Sequence, residues 1–246
     1  MAALLATPPR CAEGRDGLSP LAWWPGQPVP PSAWGTAADQ QAPVLLLLDR
    51  GAASGAATSG LLVGLLDRGE QERAQRFRRP EDRERYRLGR SALRQVLGAW
   101  LDRDPAALRF RYGPHGKPAL DGLLDAAPHF NLAHSGDLIL LAFHPSRPVG
   151  VDVELRRPGL DWRPIARRVL PAAVLARLET LPPEQGGAAF LDLWCRLEAR
   201  LKASGEGLAG LERLRLTSAP QPGELALWDV KVPDGYGAAV ALAKPL

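Results

Sequence analysis

The chain has 246 residues, 46% hydrophobic and 24% charged, which is enough apolar material for a folded core and excludes wholesale disorder. A formal net charge of +4 is too mild to imply a nucleic-acid partner by itself. The only cysteines, Cys11 and Cys195, make no disulfide framework and have no zinc-ligand spacing, so a reducing cytoplasmic compartment is expected. The first residues lack a basic leader and their apolar run stops at Pro8-Pro9; with no clean run of 18 apolar residues, neither a signal peptide nor a membrane span is expected.

Residues 1–42, rich in Pro, Gly and Trp, read as an irregular arm laid over the body by its tryptophans. Val44 to Leu48 is a short buried strand, and Gly51 to Gly60 a flexible connector. From Glu70 to Trp100 the pattern is helical with a break near Pro80. The second piece presents Tyr86, Leu93, Val96, Leu97 and Trp100 as a core stripe, with arginines elsewhere. Glu70 to Arg94 holds nine arginines against five acids, an excess equal to that of the whole chain, and suits an anionic small molecule or an acidic protein. Leu108 to Tyr112 is a strand, followed by a rigid loop, Tyr112 to Pro118, with the exposed cation Lys117. Phe130 to Gly136 is a strand entering a turn, and Leu138 to Phe143 an apolar strand.

In Val149-Gly-Val-Asp-Val-Glu154 acids alternate with valines, so Asp152 and Glu154 point to one side of a strand. Ile165 to Leu178 is helical with a break at Leu170-Pro171, and Pro182-Pro183 is a loop. Phe190 to Ser204 is the strongest helix, capped by Gly205. Leu214–Thr217, Leu225–Val230 and Gly237–Ala243 are short strands. Helices and strands recur in both halves, which predicts two small α/β units divided near Pro148-Val149, with no identical repeat.

Glu198 and Lys202 lie four apart on one helix face, with Trp194 ahead of them on the same stripe. Two strand carboxylates, one helix carboxylate and a lysine can form a hard-cation site that handles phosphate. By themselves the strand acids also fit an exposed acidic edge, and Glu198–Lys202 a plain surface pair. His134, before Ser135-Gly136, is either a structural histidine or a phosphate contact.

Together these segments resemble the 4′-phosphopantetheinyl transferases, of the larger pseudo-dimeric type that activates surfactin synthetase. Val149 to Glu154 resembles the family's (V/I)G(V/I)D(V/I)E strand, and Trp194 to Gly207 its WxxKEAxxKxxGxG helix. Gly116-Lys-Pro118 and Phe130-Asn-Leu-Ala-His-Ser135 resemble its GKP and FNxSHS segments. The four motifs occur in family order, and the likeness covers about Leu65 to Ala243.

The resemblance implies an α+β fold of two similar, pseudo-twofold α/β subdomains with the active site between them. Residues 43–148 form the coenzyme A half and 149–246 the magnesium and catalytic half. The implied activity moves the phosphopantetheine arm of coenzyme A to a serine of an acyl- or peptidyl-carrier protein, in fatty-acid, polyketide or peptide synthesis. Asp152, Glu154 and Glu198 would hold Mg²⁺. Asp152, Glu198 and Lys202 would be catalytic, with Glu198 as base and Lys202 neutralising the pyrophosphate. Arg73, Arg85, Gly116, Lys117, Pro118, His134 and Ser135 would bind coenzyme A. A bacterial monomer with no nucleic-acid or membrane partner is expected. Two positions depart from the motifs. Leu197 replaces the lysine before the catalytic glutamate, and Ala133 replaces the serine before His134. These departures motivate an alternative, a catalytically impaired relative that binds coenzyme A or a carrier. A lost neutral hydrogen bond costs about 0.5–1.5 kcal/mol, so weaker coenzyme A binding is expected rather than inactivity.

Overall fold

The computed structural model describes residues 17–29, 41–51, 64–122, 127–207 and 225–244. The expected connector beyond Gly51 and the expected strand Leu214–Thr217 lie outside the described residues. Helices and strands both contribute, so the fold is α+β, and the chain divides into two compact units, Pro20–Ser146 and Met1–Ser19 with Arg147–Leu246.

The Pro20–Ser146 unit has a four-stranded sheet in the order β1 (Leu21–Ala22), β2 (Val44–Asp49), β6 (Leu138–His144), β5 (His129–Ser135). β1 runs parallel to β2, and the other pairs are antiparallel. The stretch from Leu21 is therefore not simply an irregular arm: it adds an edge strand, and Trp23 behind it is buried. Two helices precede the hairpin, α1 (Arg68–Gln75) and α2 (Pro80–Leu101). Asp67 and Glu70 cap α1 reciprocally, and Pro80 opens α2. Leu88, Ala92, Leu93, Val96 and Leu97 of α2 pack with Leu46, Leu48, Ile139, Leu141 and Phe143. Tyr86 is only half-buried. β3 (Phe110–Tyr112) and β4 (Pro118–Leu120) form a hairpin.

Arg90 and Arg94 overturn the expected division of α2 into an apolar stripe and solvated arginines. Both are buried, Arg94 completely. Arg94 donates to Glu70, Asp67 and the carbonyls of Pro105 and Leu108, and Arg90 to Glu70. Their guanidinium planes lie over Phe110. These arginines fix α1 and the chain after α2 instead of forming a basic surface.

The other unit has a three-stranded antiparallel sheet, β7 (Val149–Leu155), β9 (Tyr236–Ala243), β8 (Leu225–Asp229), with β9 central. The 22-residue helix α5 (Pro183–Ser204) packs on it, following α3 (Arg163–Val169) and α4 (Ala172–Glu179). The helix begins at Pro183, inside the expected loop. Pro182 takes the cap position and Pro183 the first turn, where its missing N–H is no loss. Gly186 and Gly187 form a flat seat under Trp162, whose ring lies within 3.4 Å of a Cβ placed on either. Gly205 ends the helix with φ 74°. Cys195, Ala199 and Ala203 meet Ala239 and Ala241, so small side chains let helix and sheet approach closely.

Candidate active site

The site begins with a steric demand at Gly150. A Cβ there would fall onto Ala199 O and Ala203 N of α5, so only glycine allows β7 this close to the helix. Alternation then turns Asp152 to the same face. It is 5% exposed, and its Oδ1 accepts from Lys202 Nζ at 2.6 Å. Lys202 also donates to Val151 O at 3.2 Å. Asp152 Oδ2 is buried without a nitrogen or oxygen hydrogen-bond partner, and the neighbouring Cys195 thiol acts on this carboxyl as a weak donor. Burial pushes the Asp152 carboxyl above its ordinary range, against the opposing pull of Lys202; the Glu198 charge pushes it further up.

Cys195 adjoins this pair, a residue the motif reading left aside. It is a free, buried thiol that donates to Gly237 O at 3.4 Å. Burial raises its pKa, and the Asp152 and Glu154 charges add to the rise, so it is an inert neutral group. Helical spacing held the signal: 195, 198 and 202 follow the i, i+3, i+7 rule of one face. Trp194 instead stacks toward Phe190 and the cluster around Trp162.

Glu154 and Glu198 are half-buried. Among the described residues no three His, Cys, Asp or Glu side chains close into a metal-ligand cluster. The donor set still suits a hard cation: carboxylates only, one of them with a buried oxygen lacking a partner. Arg196 does not replace the lysine absent at Leu197. Its Nε and Nη2 are taken by Asp229, at 2.7 and 2.6 Å.

The remaining expected site residues lie in the Pro20–Ser146 unit. Arg73 is exposed at the end of α1, its guanidinium 5.8 Å from the Tyr86 ring centre. Arg85 is bonded to Asp82 at 3.0 Å, with its Nε buried and unbonded. Gly116, at φ 76°, turns the β3–β4 hairpin, and Pro118 opens β4. Lys117 is not the exposed cation expected from the loop. It is partly buried, and burial lowers its pKa to about 8. On β5, His134 is exposed while Ala133 and Ser135 are buried. An open groove of about 700 Å³ lies elsewhere in this unit, along Gln27, Gln95 and Asp102–Pro105, and contains none of the expected site residues.

Comparison with known proteins gives the family. Residues 148–229 match the model of the 4′-phosphopantetheinyl transferase superfamily, and residues 57–146 that of the 4′-phosphopantetheinyl transferase N-terminal region. The 4′-phosphopantetheinyl transferase HetI of Nostoc sp. is 37% identical over 190 residues, which cover 74% of this chain and 80% of HetI. Sfp of Bacillus subtilis, also a 4′-phosphopantetheinyl transferase, is 30% identical over 190 residues, covering 72% of this chain and 81% of Sfp. AcpT of Salmonella typhimurium, of the same activity, is 43% identical over 94 residues, 38% of this chain and 48% of AcpT. The chain belongs to the 4′-phosphopantetheinyl transferase family and is a transferase.

Proposed function

We propose that the protein transfers the 4′-phosphopantetheine group of coenzyme A to a serine hydroxyl of an acyl- or peptidyl-carrier protein, releasing adenosine 3′,5′-bisphosphate. The observation that carries the reading is Asp152: buried, held by Lys202 through one oxygen, and with the other oxygen unbonded. A buried carboxylate that serves only the fold has its oxygens satisfied.

The serine oxygen attacks the phosphorus attached to the pantetheine arm, and the bond to the bridging pyrophosphate oxygen breaks. Glu198 receives the serine proton, directly or through a water. Lys202 is anchored on Asp152 and Val151 O and presents its charge to the pyrophosphate as that bond breaks. Asp152, Glu154 and Glu198 would hold a Mg²⁺ ion, which when bound supplies Lewis-acid polarisation of phosphate oxygens. Arg73, Arg85, Lys117 and His134 bind the anionic nucleotide end, with the Gly116 and Pro118 backbone fixing Lys117 and Ser135 adjoining His134. Such chemistry depends on positioning and charge neutralisation.

A similar build of the two halves is supported by their 22-residue helices, each opened by proline and closed by a left-handed residue, Asp102 or Gly205. The free thiol of Cys195 suits a cytoplasmic location, and among the described residues no helix is long and apolar enough to cross a membrane. In the test, apo-carrier protein is incubated with enzyme, coenzyme A and Mg²⁺, and its intact mass is measured. A gain of one phosphopantetheine unit, abolished by EDTA, is expected. An unchanged mass for both acyl- and peptidyl-carriers refutes the reading.

A further inference from the structure

The face of β7 toward α5 continues beyond the motif. Asp152, Glu154 and Arg156 follow at every second residue, and Arg156 N prolongs the ladder by donating to Gly235 O at 2.7 Å. On α5 the opposing charges run the other way, as Lys202, Glu198 and Asp192. The two ends match: Asp152 holds Lys202, and Arg156 Nη2 holds Asp192 Oδ1 at 2.7 Å. Between these ends both elements carry acids, Glu154 and Glu198. Arg156 Nε also donates to Tyr236 O at 3.0 Å, so one guanidinium ties the end of β7 to the start of β9 and to the helix.

Gly237 leaves the room this requires, because a Cβ there would stand 2.8 Å from Asp192 Oδ1. One turn further along the helix, Arg196 is fixed on Asp229 at the end of β8. The pairs Arg156–Asp192 and Arg196–Asp229 thereby bolt α5 to both outer strands of the sheet.

We propose that Arg156 is a positioning residue for the acidic site. By bonding Asp192 and Tyr236 O, it sets the register in which the strand of Glu154 faces the helix of Glu198 and Lys202. The proposal rests on the transferase reading above for its catalytic consequence, and on the clamp geometry alone for its effect on cation binding. Two elements held at both ends present the middle acids at a fixed separation. Released at the Arg156 end, helix and strand keep the Asp152–Lys202 bond and the close packing around Gly150, but Glu154 loses the tie beyond it and its separation from Glu198 is no longer set from both sides.

The test compares wild type with Arg156→Ala and Arg156→Lys. Mn²⁺ binding is titrated by electron paramagnetic resonance, and kcat and KM for coenzyme A are normalised to folded protein. Arg156→Ala is expected to weaken Mn²⁺ binding and lower kcat by about tenfold or more, the usual effect of removing a residue that orients metal ligands, with KM for coenzyme A unchanged. Arg156→Lys recovers part of both, because one ammonium cannot reach Asp192 and Tyr236 O as the fork does. If Arg156→Ala does not fold, Asp192→Asn, which keeps an acceptor but loses the charge, replaces it with the same readouts. Wild-type Mn²⁺ affinity and kcat per folded molecule, even with a lower Tm, would overturn the proposal by leaving Arg156 a purely structural role. A wild type that binds Mn²⁺ but modifies no carrier refutes the transferase reading, and the Mn²⁺ titration of the variants still decides the clamp.

Discussion

Each unit contains a buried charge cluster, and the two are balanced differently. In the Pro20–Ser146 unit, Arg90 and Arg94 face Glu70 and Asp67, two cations to two acids, and both Glu70 oxygens are bonded. In the other, Lys202 is bonded to buried Asp152, the Glu198 charge acts on the same carboxyl, and Asp152 Oδ2 has no nitrogen or oxygen hydrogen-bond partner. The sequence motifs fall on the second cluster and not on the first. Buried charge is costly unless matched. The Glu70 cluster builds the fold, and the leftover oxygen of Asp152 is what the proposed cation site would use.

The comparison breaks most severely at Arg94. Replacing it with alanine takes one of the two guanidinium partners from buried Glu70 and removes the Nη1 donor of the Pro105 and Leu108 carbonyls, which should cost about 3–5 kcal/mol, measured as a drop in the denaturation midpoint. A variant as stable as wild type would mean that the first cluster is not structural.

Lys202→Ala should do the opposite. Lys202 is bonded to Asp152 and is partly exposed, so the fold survives while turnover falls about 10²–10³-fold, the scale of a lost charge-stabilising group. Equal turnover would remove Lys202 from the mechanism. Gly150→Ala tests the scaffold beneath it. Its Cβ collides with helix backbone that cannot yield, and a loss of about 3 kcal/mol is expected, read by thermal melting.

A smaller effect separates the clusters by sign. Burial raises the Asp152 pKa, so the fold holds this proton more tightly than the unfolded chain does. Stability is then greatest below the unfolded pKa and declines as pH rises through the folded one. Asp152→Asn removes the decline. It should melt higher than wild type at pH 7 while losing turnover, and added Mg²⁺ should raise the Tm of wild type only. A lower Tm for this variant would place Asp152 with the structural cluster.

The mildest prediction concerns Lys117. Its folded pKa, about 8, lies below the unfolded value of 10.5, so between these the unfolded chain binds more protons and stability rises with pH. Lys117→Met should flatten that rise. Anionic coenzyme A should draw a proton onto Lys117, so its affinity should fall above about pH 8, which calorimetry in buffers of different ionisation heat detects. A pH-independent affinity would remove Lys117 from the nucleotide site.

Alternation in residues 149–155 predicts the strand of Asp152 and Glu154, and the stripe before Gly205 predicts the helix of Glu198 and Lys202. Both signals are local, repeating within two to four residues. The seven residues at the start of α5 were illegible because Pro-Pro and Gly-Gly are breakers by propensity. Here a cap and the Trp162 seat make use of them. Arg94 read as solvated because its partner Glu70 is 24 residues away. Lys117 read as exposed because burial by other segments leaves no mark on its own loop.

The sequence by itself therefore determined the family and the order of the motifs, since each motif encodes a short-range chemical demand. Tertiary structure alone decided which charges are spent on the fold and which are left over. It set Arg156 against Asp192 across 36 residues, confined Arg196 to Asp229, and left one oxygen of Asp152 unbonded. The physical reason is that the balance of a buried charge depends on everything folded around it, and little of that lies nearby in the chain.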